Sequence, residues 1–259
     1  MTPPELLAEN NPALTWLLYA AAALYASALA TGLARPAWGR PLAGAAVVAH
    51  LASTVARGWI IGFFPLTNKL ESFSAAALAL GLVAVITWRR SRVYLGVLLA
   101  LVLVALATAA SFPRDLSWPP PLMRTIWYPL HVPLSFLAYG AWAAAAAAAV
   151  AWVADRREVW QERMDRLALW GFGLWSLSMI CGGLWGVVAW GAYFLWDPKV
   201  LWSVILWFHY ATFVHLRLTP SLRHRGWVRP AMALVGLAWV LVAYVGTSFF
   251  FGNSSHAWG

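Results

Sequence analysis

The sequence predicts an all-α fold: a polytopic bundle of about eight transmembrane helices. Hydrophobic residues make up 62% of the 259 residues, charged residues only 10%, and the mean hydropathy is +0.69. These proportions leave too little polar surface to cover a soluble globule, so lipid must supply much of the solvent. Since no polar tract is long enough for a second domain, we expect residues 1–259 to form a single transmembrane domain.

Eight apolar runs carry this prediction, each close to the length of about 20 residues that crosses a bilayer. They cover residues 14–33, 42–61, 72–88, 93–111, 130–153, 167–188, 200–216 and 231–250. Prolines, glycines and charged residues separate them, notably at 35–41, 88–92, 113–129, 155–166 and 217–230. Within the fifth run, the alanines from Ala143 to Ala149 predict close packing against neighbouring helices.

Two simpler features narrow the possibilities. The first ten residues are acidic and lack a basic region, so we expect the first apolar run to remain a membrane span and not a cleaved signal peptide. The single cysteine, Cys181, excludes an internal disulfide and a cysteine-based metal cluster, and we interpret it as a packing residue.

The basic residues alternate between connections, and this bias sets the orientation. Cytoplasmic loops retain Lys and Arg during insertion. Eight spans place both termini on the same side, and the orientation that fits puts 13 of the 18 basic residues inside and five outside. The inner set is Arg35, Arg40, Arg89, Arg90, Arg92, Arg156, Arg157, Arg163, Arg166, Arg217, Arg223, Arg225 and Arg229. We therefore expect both termini on the outer, periplasmic side, and the net charge of +9 reflects topology and not nucleic-acid binding.

The connection between the sixth and seventh runs is unusually rich in tryptophan. Residues 184–207 read LWGVVAWGAYFLWDPKVLWSVILW and lie on the predicted outer side. Glycine allows close approach of the backbone to a flat ligand, and Asp197 before Pro198 favours a turn and a helix cap. Stacked indoles suit a broad planar ligand such as haem, but an interfacial belt of aromatic residues is an equally good interpretation of these residues alone.

A family resemblance favours the first interpretation. The segment WGVVAWGAYFLWDPK at 185–199 resembles the WWD signature of the cytochrome c assembly family, the haem-handling proteins of cytochrome c maturation, and is most similar to its system II branch. Supporting segments occur in the family's order: RGWIIGFFPLTNKLESF at 57–73, LHVPLSFLAYG at 130–140, VHLR at 214–217 and SHAWG at the terminus. The signature departs from the usual pattern at Phe194 and Val200.

The resemblance implies a set of haem-binding residues. Imidazole is a common axial ligand of haem iron, and both His131 and His256 fall on the predicted outer side with the Trp-rich loop. These two match the family's pair of external ligands, and His215 matches a membrane histidine implicated in haem on its way outward. The resemblance also implies that haem is contacted by residues of the outer loop at about 185–202, namely Trp185, Trp190, Trp196, Asp197 and Trp202.

The other polar groups leave their roles open. Arg57 and Glu71 pair with each other or contact haem propionates or a partner, and Arg124 and Lys199 are further outer cations able to meet propionates. Among the remaining histidines, His50 either makes a packing hydrogen bond, which we favour, or serves as a second ligand within the membrane, and His224 is expected to be solvated.

The function implied by the resemblance is cytochrome c biogenesis in the bacterial inner membrane. Haem b is held on the outer face and presented to an apocytochrome c that carries a CysXxxXxxCysHis motif. The chain is then one subunit of a holocytochrome c synthase that works with a ResB/CcsB-like membrane protein. Two alternatives stay open: a haem exporter or carrier that delivers haem to a separate ligase, and a structural membrane subunit with an aromatic belt.

Overall fold

A computed structural model describes residues 12–219 and 226–249. In this part of the chain the secondary structure is helical, as the sequence predicts. Eight long helices are found: α1 (Pro12–Ala34), α2 (Gly39–Ile61), α3 (Lys69–Ile86), α4 (Arg92–Ala110), α5 (Trp127–Asp155), α6 (Val159–Trp190), α7 (Pro198–His215) and α8 (Val228–Leu241). Beyond α8, the chain continues through a π-helical segment, Val242–Gly246, and a helical turn, Thr247–Phe249. Short 3-10 turns lie at Pro121–Met123 and Leu216–Leu218.

Seven of the eight helices are long and apolar enough to cross a membrane, α8 when it is taken together with the π-helical segment as Val228–Gly246. The exception is α7, which has 18 residues and includes Lys199, His209, Tyr210 and His215 among them. Polar side chains lower the mean hydropathy of α7, although the helix is still 18 residues long. Packing against protein therefore contributes, together with lipid, to the stability of α7 in the bundle. The prediction of a polytopic helical membrane protein is confirmed.

The helices form two compact units, residues 1–124 and 125–259. Unit 1 contains α1 to α4, and unit 2 contains α5 to α8. In unit 1, the buried His50 ring bonds through Nε2 to the Ser74 hydroxyl at 2.8 Å, which joins α2 to α3. The packing hydrogen bond expected at His50 is therefore present.

The Arg57 and Glu71 side chains form a buried ion pair in unit 1. The Arg57 Nη2 and Glu71 Oε1 atoms lie 3.0 Å apart, and the other carboxylate oxygen accepts from the Thr67 backbone N–H at 2.8 Å. The guanidinium also donates to the backbone oxygens of Arg114 and Asp115, at 3.4 and 3.3 Å. Of the roles left open by the sequence, pairing is the one observed, and the pair ties the 62–68 and 113–118 connections together.

Unit 2 is organised by α5. All seven residues of the Ala143–Ala149 run are at most 3% exposed, so helices cover this part of α5 on every side. Next to the run, Trp142 stacks on Tyr210 of α7 with a centroid distance of 3.7 Å. A methyl group at Gly171 of α6 would lie 2.2 Å from Trp142 Nε1, so only glycine allows this approach. Close packing around the alanine run is confirmed.

The charged stretch at 155–166 differs from expectation. It is not a connection throughout, because α6 already begins at Val159. Trp160 and Met164 are buried while Glu162 and Arg166 are exposed, which is an amphipathic helical pattern that a search for apolar runs overlooks. The first two turns of α6 therefore extend the helix beyond the apolar run.

Candidate functional site

The start of α5 and the second half of α6 together position the predicted histidine His131. This residue lies in the second turn of α5, and its Nδ1 atom is 2.8 Å from the backbone oxygen of Ser178 in α6. A carbonyl oxygen only accepts hydrogen bonds, so Nδ1 carries the proton and Nε2 keeps its lone pair. No hydrogen-bond partner of Nε2 is found among residues 12–219 and 226–249. The imidazole is thus oriented as a metal ligand is.

Two serine hydroxyls reinforce this orientation. The Ser178 hydroxyl donates to the His131 backbone oxygen at 2.9 Å and also lies 3.0 Å from Nδ1. The Ser135 hydroxyl lies 2.6 Å from that of Ser178 and 3.0 Å from the same His131 oxygen. Both serines are at most 7% exposed. The polar network fixes the ring in a low-dielectric setting, where hydrogen bonds are strong.

Space for the ring comes from glycine. A methyl group at Gly182 would lie 2.7 Å from both Cε1 and Nδ1 of His131, closer than side-chain carbons approach. The next residue, Gly183, gives the same room to the Tyr193 ring, with a nearest distance of 2.4 Å. The Gly182–Gly183 pair in α6 therefore seats one ring from α5 and one from the following loop.

An aromatic cluster surrounds the histidine. The His131 and Trp185 rings are nearly parallel, with a centroid distance of 6.4 Å. Trp185 also contacts Tyr128 at 5.2 Å and Trp190 at 4.7 Å. Trp185 is buried, whereas Trp190 is half-buried. We call these four residues, Tyr128, His131, Trp185 and Trp190, the histidine cluster.

The loop that follows α6 carries exposed aromatic side chains. Gly191 ends the helix with a φ of 71°, in the left-handed region that favours glycine. Trp196 is 85% exposed, and its ring meets Phe194 edge to face at 5.5 Å. Tyr193 is 56% exposed. Phe194, where the signature departs from the family pattern, thus retains the aromatic surface.

The Trp-Gly repeats have a structural role in this loop. Gly191 terminates α6, and a methyl group at Gly186 would lie 2.9 Å from the Ala192 backbone oxygen. Both glycines let the loop fold back onto α6. Their predicted contact with a flat ligand stays a prediction.

Asp197 acts as a helix cap, as the sequence predicts. It is 5% exposed, and its carboxylate accepts from the Lys199 backbone N–H at 2.8 Å, with Pro198 in the first turn of α7. The cap therefore fixes the point where α7 leaves the loop.

The other predicted residues lie elsewhere or outside the described part. Trp202 contacts Trp239 of α8 at 5.4 Å. His215 is exposed at the far end of α7, about 25 Å along the helix from Lys199, and its Nδ1–H donates to the Ala211 oxygen at 2.7 Å. His256 lies outside the described residues. Within unit 2 the structure thus brings His131, Trp185 and Trp190 together, and leaves His215 apart.

Several residues of this site were not anticipated from the sequence. They are Tyr128, Ser135, Ser178, Gly182, Gly183 and Tyr193. The only sequence signal for them is the Gly-Gly pair inside an apolar run, which indicates a close approach of another group. The partners of His131 depend on how α5 packs against α6, and the hydrophobic pattern alone does not determine that packing.

Comparison with known proteins identifies the family. The family model described as "Cytochrome C assembly protein" matches residues 48–252, which is most of the chain. Cytochrome c biogenesis protein CcsA of Synechococcus sp. (strain CC9902) is 29% identical over 87% of this chain and 88% of its own length. CcsA of Guillardia theta is 27% identical over 83% of this chain and 84% of its own length. CcsA of Gloeobacter violaceus is 40% identical over a shorter region, 43% of this chain and 34% of its own length.

A solved structure shares the fold. "Cytochrome c Heme Lyase CcmF" superposes with a TM-score of 0.71 over 94% of this chain, at 21% sequence identity. The chain spans about half the length of that protein, 47%. Fold, family match and relatives agree: the chain belongs to the cytochrome c assembly protein family and is a multi-pass membrane protein of cytochrome c biogenesis.

Proposed function

We propose that this chain holds haem b at the histidine cluster and presents it for covalent attachment to apocytochrome c. The single observation that supports this best is the Nδ1 hydrogen bond from His131 to the Ser178 oxygen, because it leaves Nε2 available as an axial ligand. Haem iron commonly takes such a nitrogen, and the adjacent indoles suit its flat ring. His256, which the family resemblance pairs with His131, is proposed as the second axial ligand.

The exposed aromatic side chains of the loop after α6 extend the haem-binding surface of the histidine cluster. We assign the edge of the haem to Trp190 and Trp196, and treat Trp185 as the support behind them because it is buried. Asp197 acts through its cap, and Lys199, in the first turn of α7, is proposed to meet a propionate. Trp202 and His215 take no part in this surface, and His215 is retained as a candidate for haem uptake at the other end of α7.

The proposed chemistry is thioether formation. Each of two cysteine thiols of a CysXxxXxxCysHis motif adds across one haem vinyl group: the S–H bond breaks, sulfur bonds to carbon, and the proton goes to the other vinyl carbon. No oxidant or reductant is consumed by this addition. The contribution of the chain is to position haem and peptide, and the fixed orientation of His131 is its main means of doing so.

The proposal includes a partner and a place. CcsA proteins are the similar relatives, and we propose a ResB/CcsB-like membrane protein as the second subunit, so that the two chains form a synthase in the bacterial inner membrane. We propose that both units of the chain act as one haem-handling domain. The outer, periplasmic position of the cluster follows from the charge bias, which sets the Trp-rich loop opposite the arginine-rich connections.

Co-production tests this function directly. The chain is produced with a ResB/CcsB-like protein and an apocytochrome c, and covalent haem is measured by haem stain after denaturing electrophoresis. A synthase subunit gives stained cytochrome with wild type and none with His131→Ala. Haem bound to the chain without stained cytochrome would instead indicate a carrier that serves a separate ligase, and a chain without any haem would indicate a structural subunit. As a matched control, His209→Gln keeps a donor for the Met232 oxygen in the α7–α8 contact and should retain wild-type staining.

A further inference from the structure

A basic groove lies at one end of unit 1. Its lining comes from the start of α2 and the end of α3, with the connections next to them, and encloses about 1090 Å³ including the solvent at its open mouth. Three of its residues are arginines, Arg40, Arg89 and Arg90, and Trp88 lies between them. Arginines from two separate parts of the chain therefore line one space.

The charge of this end is not neutralised within the described part of unit 1. Arg35 and Arg92 lie in the same two connections, which makes five arginines. The carboxylates among residues 12–124 are those of Glu71, which pairs with Arg57 about 26 Å along α2 from Arg40, and of Asp115, whose backbone oxygen accepts from Arg57. Arg40, Arg89 and Arg90 form no ion pair with any described residue. Their guanidinium groups are therefore able to bind an anion.

The groove is held in place by hydrogen bonds. Trp88 is 7% exposed, and its Nε1–H donates to the Pro36 backbone oxygen at 3.1 Å, which links the two connections. The Arg92 guanidinium donates to the Ala34 oxygen at 3.4 Å, which links them a second time. The excess of basic residues in cytoplasmic loops explains why arginines occur in these connections, but it does not require a fixed groove between the two connections.

Lipid is the anion source that the surroundings favour. Leu82 and Ile86, 37% and 58% exposed apolar residues, lie on the last turns of α3, in the same stretch as the groove residue Val85. A phosphate at the three guanidinium groups would therefore place an acyl chain along this face of α3. Trp38, 66% exposed beside the groove, has the amphipathic ring that residues at headgroup depth share.

We propose that this groove binds the phosphate of an anionic phospholipid from the leaflet that faces the basic connections. Arginine suits this ligand because its planar guanidinium donates two parallel hydrogen bonds to phosphate oxygens. The bound lipid offsets part of the positive charge at this end of unit 1 and bridges the α1–α2 and α3–α4 connections.

Lipid titration of the purified full chain tests the proposal. Phosphatidylglycerol, phosphatidylcholine or inorganic phosphate is added to delipidated protein in neutral detergent, and bound lipid is counted by native mass spectrometry. We expect phosphatidylglycerol to bind, and the triple variant Arg40→Gln, Arg89→Gln, Arg90→Gln to weaken it roughly hundredfold. The matched control is Arg156→Gln, Arg157→Gln, Arg166→Gln, which removes three charges at and just after the α5–α6 connection and should bind as wild type does.

Three outcomes would overturn the proposal. Equal weakening in both triple variants would indicate general charge attraction, equal binding of phosphatidylcholine would indicate no headgroup selection, and competition by millimolar inorganic phosphate would indicate a free-phosphate site. Should the glutamine variant not fold, Arg40→Lys, Arg89→Lys, Arg90→Lys keeps the charge and removes the bidentate geometry. That variant should still bind phosphatidylglycerol more weakly than wild type, and unchanged binding by it would contradict guanidinium recognition.

Discussion

At the scale of single residues, the orientation of one imidazole carries the functional argument. His131 is held by the Ser178 backbone oxygen and accommodated by Gly182, one turn further along α6. The hydrogen bond selects the tautomer, and the glycine sets how far the ring can sit toward α6. The two contacts are tested separately, because the hydrogen bond affects the basicity of the imidazole and the glycine affects the room for its ring.

Gly182→Ala tests the space. An added methyl group would lie 2.7 Å from the His131 ring, so the ring must move and we expect haem content to fall to the level of His131→Ala. The control is Gly173→Ala in the same helix, where no atom lies within 4 Å of the added carbon. That change should keep haem and stabilise the helix by up to about 1 kcal/mol. Haem content per protein, from the pyridine haemochrome spectrum, distinguishes them, and full haem in Gly182→Ala would contradict the assigned contact.

The double variant Ser135→Ala, Ser178→Ala tests the hydrogen-bond network. The carbonyl bond to Nδ1 remains, but the hydroxyl groups near Nδ1 and the His131 oxygen are lost. We expect haem affinity to fall roughly tenfold and the midpoint potential of the iron to rise, since a less basic imidazole stabilises the ferric form less. Potentiometric titration measures this shift. Ser203→Ala, whose hydroxyl bonds to the Lys199 oxygen within its own helix, should leave the potential unchanged, and an equal shift in both would count against the network.

The sequence could predict His131 but not its partners. The histidine stands at a recognisable place, the start of an apolar run within a family segment, whereas Ser178 is 47 residues away along the chain. Which residue of α6 faces His131 depends on the rotation and depth of two packed helices. Periodicity gives the apolar face of a helix but not the register between two helices, so Ser178 and Gly182 become visible only in the structure.

At the scale of elements, the Trp-rich stretch resolves into three parts with different roles. The last turns of α6 contribute Trp185 and Trp190 to the histidine cluster, the loop exposes Trp196, and α7 carries Trp202 toward α8. From the sequence alone these residues are interpreted as one surface, because they are close along the chain. Helix termination at Gly191 and restart at Asp197 divide them, and both signals, a glycine and an Asp-Pro pair, are readable in the sequence.

Substitution of Asp197 separates capping from ligand contact. Asp197→Ala removes the bond to the Lys199 N–H and should cost about 1 kcal/mol of stability, with a lower haem content because the start of α7 loosens. Asp197→Ser retains a capping oxygen and should restore both the melting temperature and the haem content. If Asp197→Ser melts as wild type but still loses haem, the carboxylate has a role beyond the cap.

At the scale of the whole molecule, the composition alone predicts the class of protein. A hydrophobic content of 62% and the spacing of apolar runs predict a helical membrane protein, and seven of the long helices meet the length and composition of a span. The division into units 1–124 and 125–259 was not predicted, because a Pro-rich connection is compatible both with a loop inside one domain and with a boundary between two. The sidedness of the chain stays a prediction from the distribution of arginines.

Cysteine labelling tests that sidedness. In a Cys181→Ala background, Phe64→Cys lies in the predicted outer connection and Trp38→Cys in a predicted inner one, and both native side chains are at least half exposed. We expect a membrane-impermeant maleimide to label position 64 in intact cells, and position 38 only after permeabilisation. The reverse pattern would place the Trp-rich loop in the cytoplasm and remove the basis for presenting haem to an exported cytochrome.

The absorption spectrum of purified His131→Gly, with and without added imidazole, tests the central claim most directly. If the His131 imidazole binds haem iron, the wild-type chain carries low-spin haem, the variant loses that spectrum, and free imidazole restores it by occupying the space left beside Gly182. An unchanged low-spin spectrum in His131→Gly without imidazole would contradict the account.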